Sequence, residues 1–224
     1  MAEPLAQVQT LPRLSLKPKA DGIFRGLWAS VFYSGRVSGK TVVFCSSDRR
    51  EGASTMVAGL AVAGLSVSGA AKVALVDFNL RQPVLHEIFG LRPGPGVVEA
   101  VLQNLAPAAV AQPVSPGLDV FVAGSEGGRI LDILRSGALG SFVKALEASY
   151  EYVLIDAPSA NHYPDALVLG GLVKDVVLTA HTEQTPREAV AQARKRLESA
   201  GGRVVGVILN LRSYPIPKFL YRRV

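Results

Sequence analysis

Cysteine is nearly absent from this sequence. The single thiol in 224 residues, Cys45, cannot close an intramolecular disulfide, which suits a reducing compartment. Long apolar runs are missing as well. The longest candidate, Met56 to Ala71, is broken by Gly59, Gly64, Ser66, Ser68 and Gly69. It falls short of the roughly 20 residues that span a bilayer and reads as a buried helix. The start of the chain carries Glu3 but no basic-then-apolar block, so no signal peptide is expected and the expected location is cytoplasmic. Internal repeats and low-complexity tracts are also lacking. Acidic residues stop at Glu198, whereas Arg203, Arg212, Lys218, Arg222 and Arg223 follow. With Arg13, Lys17, Lys19 and Arg25 near the start, both ends are basic. Such ends either contact an anionic surface (phospholipid, nucleic acid or an acidic partner) or serve solubility alone.

What is present is apolar and regular. Hydrophobic residues make up 49% of the chain, which fits one globular domain with a substantial core. Residues 1–20 hold several prolines and no sustained period, so they read as a flexible N-terminal arm. The domain proper spans 21–211, and 212–224 form a basic C-terminal tail. A first helix is expected from Asp21 to about Phe32. Short runs rich in Val, Ile and Leu then recur at Thr41–Ser46, Lys72–Phe78, Leu118–Ala123, Tyr152–Ala157, Asp175–Ala180 and Val204–Leu209. Their nearly continuous apolar character suits strands of a parallel sheet buried on both faces. Helical segments lie between them at Gly52–Ser68, Pro83–Phe89, Val97–Asn104, Arg129–Ala148, Pro164–Val173 and Pro186–Ala200. Thr185 is the expected N-cap of the last. The alternation predicts an α/β, doubly wound, mostly parallel sheet with ligands beyond the carboxyl ends of the strands.

Three strand ends carry polar residues. After Thr41–Ser46 comes Ser47-Asp-Arg-Arg-Glu-Gly52-Ala-Ser-Thr55 and then a helix, the setting of a phosphate-binding loop. Against the pattern G-x-x-x-x-G-K-S/T only Gly52 and Ser54 match, and Ala53 stands at the lysine position. The second strand end is Asp77, followed by Asn79 and Arg81; the third is Asp156, followed by Pro158. A carboxylate closing a buried apolar strand is costly unless it is paired or opens on a cleft. Each Asp either caps the next helix or turn, or belongs to a metal–phosphate site in which Asp156 and the Ser54 hydroxyl hold Mg²⁺.

These residues resemble the cytoplasmic kinase domain of the bacterial tyrosine kinases of exopolysaccharide and capsule synthesis, relatives of the MinD and ParA P-loop ATPases. Val76-Asp77-Phe-Asn-Leu-Arg-Gln-Pro-Val-Leu-His-Glu-Ile-Phe-Gly-Leu91 is similar to VDADLRRPSLHKLFGL. Pro95-Gly-Val-Val-Glu-Ala-Val-Leu102, Gly117-Leu-Asp-Val-Phe-Val-Ala-Gly124 and Tyr150-Glu-Tyr-Val-Leu-Ile-Asp-Ala-Pro158 are similar to PGLSDVL, GLDVLPAG and YDYVIIDTPP. Asp165-Ala-Leu167 and Val205-Gly-Val-Ile-Leu-Asn210 are similar to SDAL and LGVVLN. The co-linear order is more specific than any one segment.

The resemblance implies Asp77 and Asp156 as catalytic residues and Ser54 and Asp156 as metal ligands. It implies the loop Arg49, Arg50, Glu51, Gly52, Ala53, Ser54 and Thr55, with Asn210 near the adenine, as the ATP site. It also implies a membrane-embedded chain-length or co-polymerase partner and a homo-oligomer; an anionic membrane surface fits the basic ends, and nucleic acid is not expected.

Departures fall at the chemistry. The family loop SxxPGEGKST has Pro, Gly and Lys where Arg49, Arg50 and Ala53 stand, and its second aspartate is Asn79. Of the family's ExxRxxR self-association segment, Gly22–Trp28 keeps Arg25 alone, and the terminal tyrosine cluster shrinks to Tyr214 and Tyr221, which read first as tail aromatics. A missing preorganised charge of this kind is worth roughly 3–4 kcal/mol of transition-state stabilisation. Arg49 and Arg50 either restore positive charge toward phosphate, point to solvent or pair with Glu51. The expectation is a catalytically impaired, kinase-like regulator; an active ATP-dependent autokinase and a partitioning ATPase are the alternatives.

Overall fold

The computed structural model describes residues 16–69, 71–125 and 129–211. Its centre is a seven-stranded sheet in the order β3-β4-β2-β5-β1-β6-β7. The strands are β1 (Thr41–Ser46), β2 (Val73–Asp77), β3 (Gln112–Ser115), β4 (Leu118–Phe121), β5 (Tyr152–Asp156), β6 (Asp175–His181) and β7 (Arg203–Asn210). All neighbours run parallel except β3, which pairs antiparallel with β4 at one edge.

The pleat sends alternate side chains into two cores. Val42, Phe44, Leu75, Val120 and Leu154 face one side, together with α1 (Pro18–Phe32), α2 (Ala53–Ser68) and α3 (Leu85–Phe89). Val43, Cys45, Val76, Phe121 and Ile155 face the other, where α4 (Val97–Leu102), α5 (Ile130–Arg135), α6 (Gly137–Ser149), α7 (Asp165–Val173) and α8 (Arg187–Ser199) cover them. The doubly wound architecture and the six expected strands are therefore present. Sheets covered on both faces need apolar residues at every position, which is why these strands read as continuous runs rather than alternating ones.

The apolar run at Met56–Ala71 forms most of α2, and its glycines have a packing role. A Cβ on Gly64 would collide with the Trp28 indole, and one on Gly59 would lie 2.5 Å from the Phe24 ring. The helices α1 and α2 thus approach closely because α2 offers no side chains there. Trp28 is fully buried beside Phe32 and Tyr152, at ring-centroid distances of 4.4 and 4.9 Å. At the last position of the degenerate self-association segment it is a core residue.

Several expectations need correction. Residues 18–20 belong to α1 rather than to the arm, while residues 1–15 and the tail from 212, with Tyr214 and Tyr221, lie outside the described residues. The helix expected over 129–148 is two helices, broken at Ser136, whose extended backbone and hydroxyl cap α6 through Ala138 N (3.1 Å). The strand β3 was not anticipated; it carries Pro113, which an edge position tolerates. Finally, Thr185 does not cap α8, which starts at Arg187 without a side-chain cap.

Candidate functional site

The carboxyl ends of β2, β5 and β1 are adjacent, and the register puts Asp77 directly opposite Asp156. Above them opens a cleft of about 460 Å³, where the loops after these strands meet the start of α2. Arg49, Arg50, Gly52, Ala53, Ser54 and Thr55 all line it, as does Glu51. The sequence therefore located this wall.

Buried contacts hold the loop after β1. Ser47 N donates to Thr179 O at 3.0 Å. Glu51 is 2% exposed; its carboxylate accepts from Asp48 N at 3.0 Å and, more closely, from the Thr185 hydroxyl. It does not pair with the arginines. Asn210 Nδ2 donates to Glu51 O at 2.9 Å, so this side chain braces the loop from behind. A Cβ on Gly52 would lie 2.6 Å from that nitrogen, and Gly52 also has φ +78°. Glycine is required there on both counts. Arg50 adopts φ +61° as well, a left-handed conformation that costs a side-chain-bearing residue about 1–2 kcal/mol. The family pattern has glycine at this position.

The α2 N-terminus has no side-chain cap, and its positive dipole end opens on the cleft at Ala53, Ser54 and Thr55. Ala53 is its first residue. No ammonium stands at that point.

The two carboxyls differ sharply in partners. Asp77 is fully buried and accepts from the backbone amides of Asn79 (3.2 Å), Val84 (3.1 Å) and Leu85 (3.0 Å). It shapes the turn into α3. Burial pushes its pKa up to about 6, against the pull of those amides. Asp156 is also fully buried, yet among the described residues neither carboxyl oxygen has a hydrogen-bond partner. Burial and then the neighbouring Asp77 charge push its pKa well above the ordinary range, while the Ser54 hydroxyl opposes part of the shift. A bare buried carboxyl next to a hydroxyl fits a hard cation, which would supply the missing counter-charge.

The opposite wall was not found from sequence. Arg81 Nη2 reaches the fully buried Asp165 at 3.1 Å, and its guanidinium lies 4.4 Å from the Tyr163 ring centroid. Arg49 Nη2 donates to the Tyr163 hydroxyl at 2.8 Å. Arg81 and Asp165 each sit inside a kinase-like segment, but only the folded chain brings the two segments together with Tyr163.

No protein-family model matches the chain. Among curated proteins it is similar to CapB of Staphylococcus aureus, provisionally assigned as a tyrosine-protein kinase: 27% identity over 206 residues, 90% of this chain and 89% of CapB. It is 29% identical to the tyrosine-protein kinase YwqD of Bacillus subtilis, covering 76% of this chain and 72% of YwqD. Among solved structures, the BceF tyrosine kinase domain superposes with TM-score 0.76 at 27% identity, over 90% of this chain and 83% of that one. A plasmid partition protein from Borrelia burgdorferi shares the fold alone, with TM-score 0.62 at 16% identity over 83% and 85% of the two chains. The chain is a homologue of the bacterial tyrosine-protein kinases, built on the P-loop NTPase fold of the MinD and ParA type.

Proposed function

We propose that this protein is a kinase-like regulator of exopolysaccharide or capsule synthesis and export, catalytically impaired, that acts through a membrane co-polymerase partner. The observation that carries the reading is Ala53 at the first position of α2, in a cleft that keeps Gly52 and Ser54. The loop amides and the α2 N-terminus attract the phosphates of ATP. Ser54 and Asp156 would hold Mg²⁺, which when bound would supply positive charge to the phosphates of ATP. A lysine at position 53 would follow the transferring phosphoryl group; alanine contributes no charge. Asn79 cannot replace a second carboxylate, and Asp77 is occupied with three backbone amides, which suits it to shaping the site more than to moving a proton. Binding thus outlasts turnover, as a nucleotide-dependent switch requires.

The kinase relatives support the pathway, and the basic ends support contact with the inner face of the membrane through the partner. Self-association, if it is kept, uses another surface than Trp28, which is buried. Calorimetric titration with ATP and Mg²⁺ tests the reading. Micromolar binding with no phosphotyrosine on the purified protein is the expected result; the absence of binding heat would reduce the protein to a scaffold. Arg49 and Arg81 at the cleft favour a second reading, an active autokinase. Phosphotyrosine that forms with ATP and disappears in Asp156→Ala would establish it.

A further inference from the structure

We infer that Arg49, Arg81 and Tyr163 form a clamp for the diphosphate or triphosphate group of a nucleotide, carrying the positive charge that the loop lacks at Ala53. The inference rests on the nucleotide-binding reading and extends it to residues outside the loop.

Three arginines, Arg49, Arg50 and Arg81, line one cleft, and they differ in their ion pairing. Glu51 turns its carboxylate to Asp48 N and the Thr185 hydroxyl and makes no ion pair with the arginines. Asp165 pairs, among the described residues, with Arg81 alone. Among the described residues, Arg49 has no carboxylate partner for its guanidinium; its contact is the neutral hydroxyl of Tyr163. A guanidinium without an ion-pair partner beside a helix N-terminus suits an anion in geometry as well as in charge.

The two arginines are also held differently. The buried Asp165 fixes Arg81 through Nε and Nη2 at 3.4 and 3.1 Å, which orients the fork and leaves donors free, since a guanidinium carries five. Arg49 reaches across the mouth of the cleft from the loop after β1 to Tyr163, which follows β5. Both guanidinium carbons lie against the same ring, at 5.3 and 4.4 Å from its centroid. Tyr163 is thus a post that brings two cations close together at the wall facing the α2 N-terminus. Two like charges sharing one aromatic ring gain from an anion placed between them. The anion is a phosphate chain because it must reach from the amides at Gly52–Ser54 to planar guanidinium forks, which match phosphate oxygens in pairs.

The test is titration of the full chain with ADP and, separately, with inorganic pyrophosphate. Loss of one charge-assisted contact weakens binding roughly ten- to a hundredfold. Arg49→Gln and Arg81→Gln should each show that loss with both ligands, and Tyr163→Phe a smaller one. Arg36→Gln, which removes the same charge from the groove between α1 and β7, should bind as the parent does. Because Arg81→Gln also exposes Asp165 to an unpaired state, Arg81→Lys and thermal melts accompany it; Arg49 is on the surface and its variant carries no such burden. Parent-like affinity in both Arg49→Gln and Arg81→Gln would overturn the clamp while leaving nucleotide binding intact. Pyrophosphate bound without ADP would keep the clamp and end the nucleotide reading, and no binding of either ligand to the parent would end both.

Discussion

Arg50 offers a direct measure of what the altered loop costs. It sits at φ +61°, two residues before Gly52 at φ +78°, so the chain takes two left-handed steps within one turn and only one of them is glycine. A residue with a Cβ gives up about 1–2 kcal/mol in that region. Glycine gives back roughly 0.5–1 kcal/mol of this through its greater freedom in the unfolded chain. Arg50→Gly should therefore stabilise the fold by about 0.5–1 kcal/mol, a rise in Tm of about 1–4 °C for a domain of this size. Arg50→Ala removes the same charge but keeps the Cβ, and should give none of that gain. Thermal and urea unfolding of the two variants side by side isolates the backbone effect from the electrostatic one. If alanine and glycine are equally stable, the loop is not strained at position 50, and the reasoning from backbone geometry fails.

The remaining predictions concern packing and the buried carboxyls. Gly64→Ala should destabilise the protein by about 1–3 kcal/mol, because the new methyl collides with Trp28 in the α1–α2 contact; urea unfolding checks it. Glu99 accepts from Gly96 N (2.7 Å), Ser125 N (2.9 Å) and the Ser125 hydroxyl (2.7 Å). Burial alone would raise its pKa, but these donors outweigh burial and hold it below the usual range. Its folded pKa is depressed, so its contribution is present at neutral pH and fades as the medium is acidified through the carboxylate range. Glu99→Gln should lower stability at pH 7 by about 1–3 kcal/mol and by much less at pH 3, read from melts across pH. Asp156 shows the opposite sign: its raised pKa means that its ionisation works against folding as pH rises. Without metal, Asp156→Asn should be more stable than the parent at pH 8 and close to it at pH 4.

Much of this was legible in the chain because the sheet is covered on both faces. Strands such as Val73–Asp77 and Tyr152–Asp156 show uninterrupted apolar runs ending in a carboxylate, a pattern that few arrangements besides a buried parallel strand opening on a cleft produce. The loop wall from Arg49 to Thr55 is local in sequence and was read as such. What escaped depends on contacts between distant segments. Thr185 has the form of a helix cap, yet its hydroxyl goes to Glu51, 134 positions away. The Arg49–Tyr163 bond and the stacking of Arg81 join three loops, and no spacing rule links them. Ser136 breaks a helix inside a run whose apolar period continues on both sides, because its hydroxyl can cap α6. Trp28 looked like erosion of a surface motif but fills the core over Gly64. The sequence position of Asn210 suggested base recognition; its amide instead supports the loop at Glu51 O, and contact with adenine remains a proposal for the bound state.

The central claim is that the fold keeps a phosphate-binding cleft and lacks chiefly the lysine. Ala53→Lys tests it most directly, with ATP turnover and phosphotyrosine measured on the purified protein beside its parent. Restoring one preorganised charge worth roughly 3–4 kcal/mol should raise turnover several-hundredfold over a parent near background. An Ala53→Lys protein that folds and binds ATP but turns over no faster would contradict the account, and so would a parent that already works at the rate of an ordinary kinase.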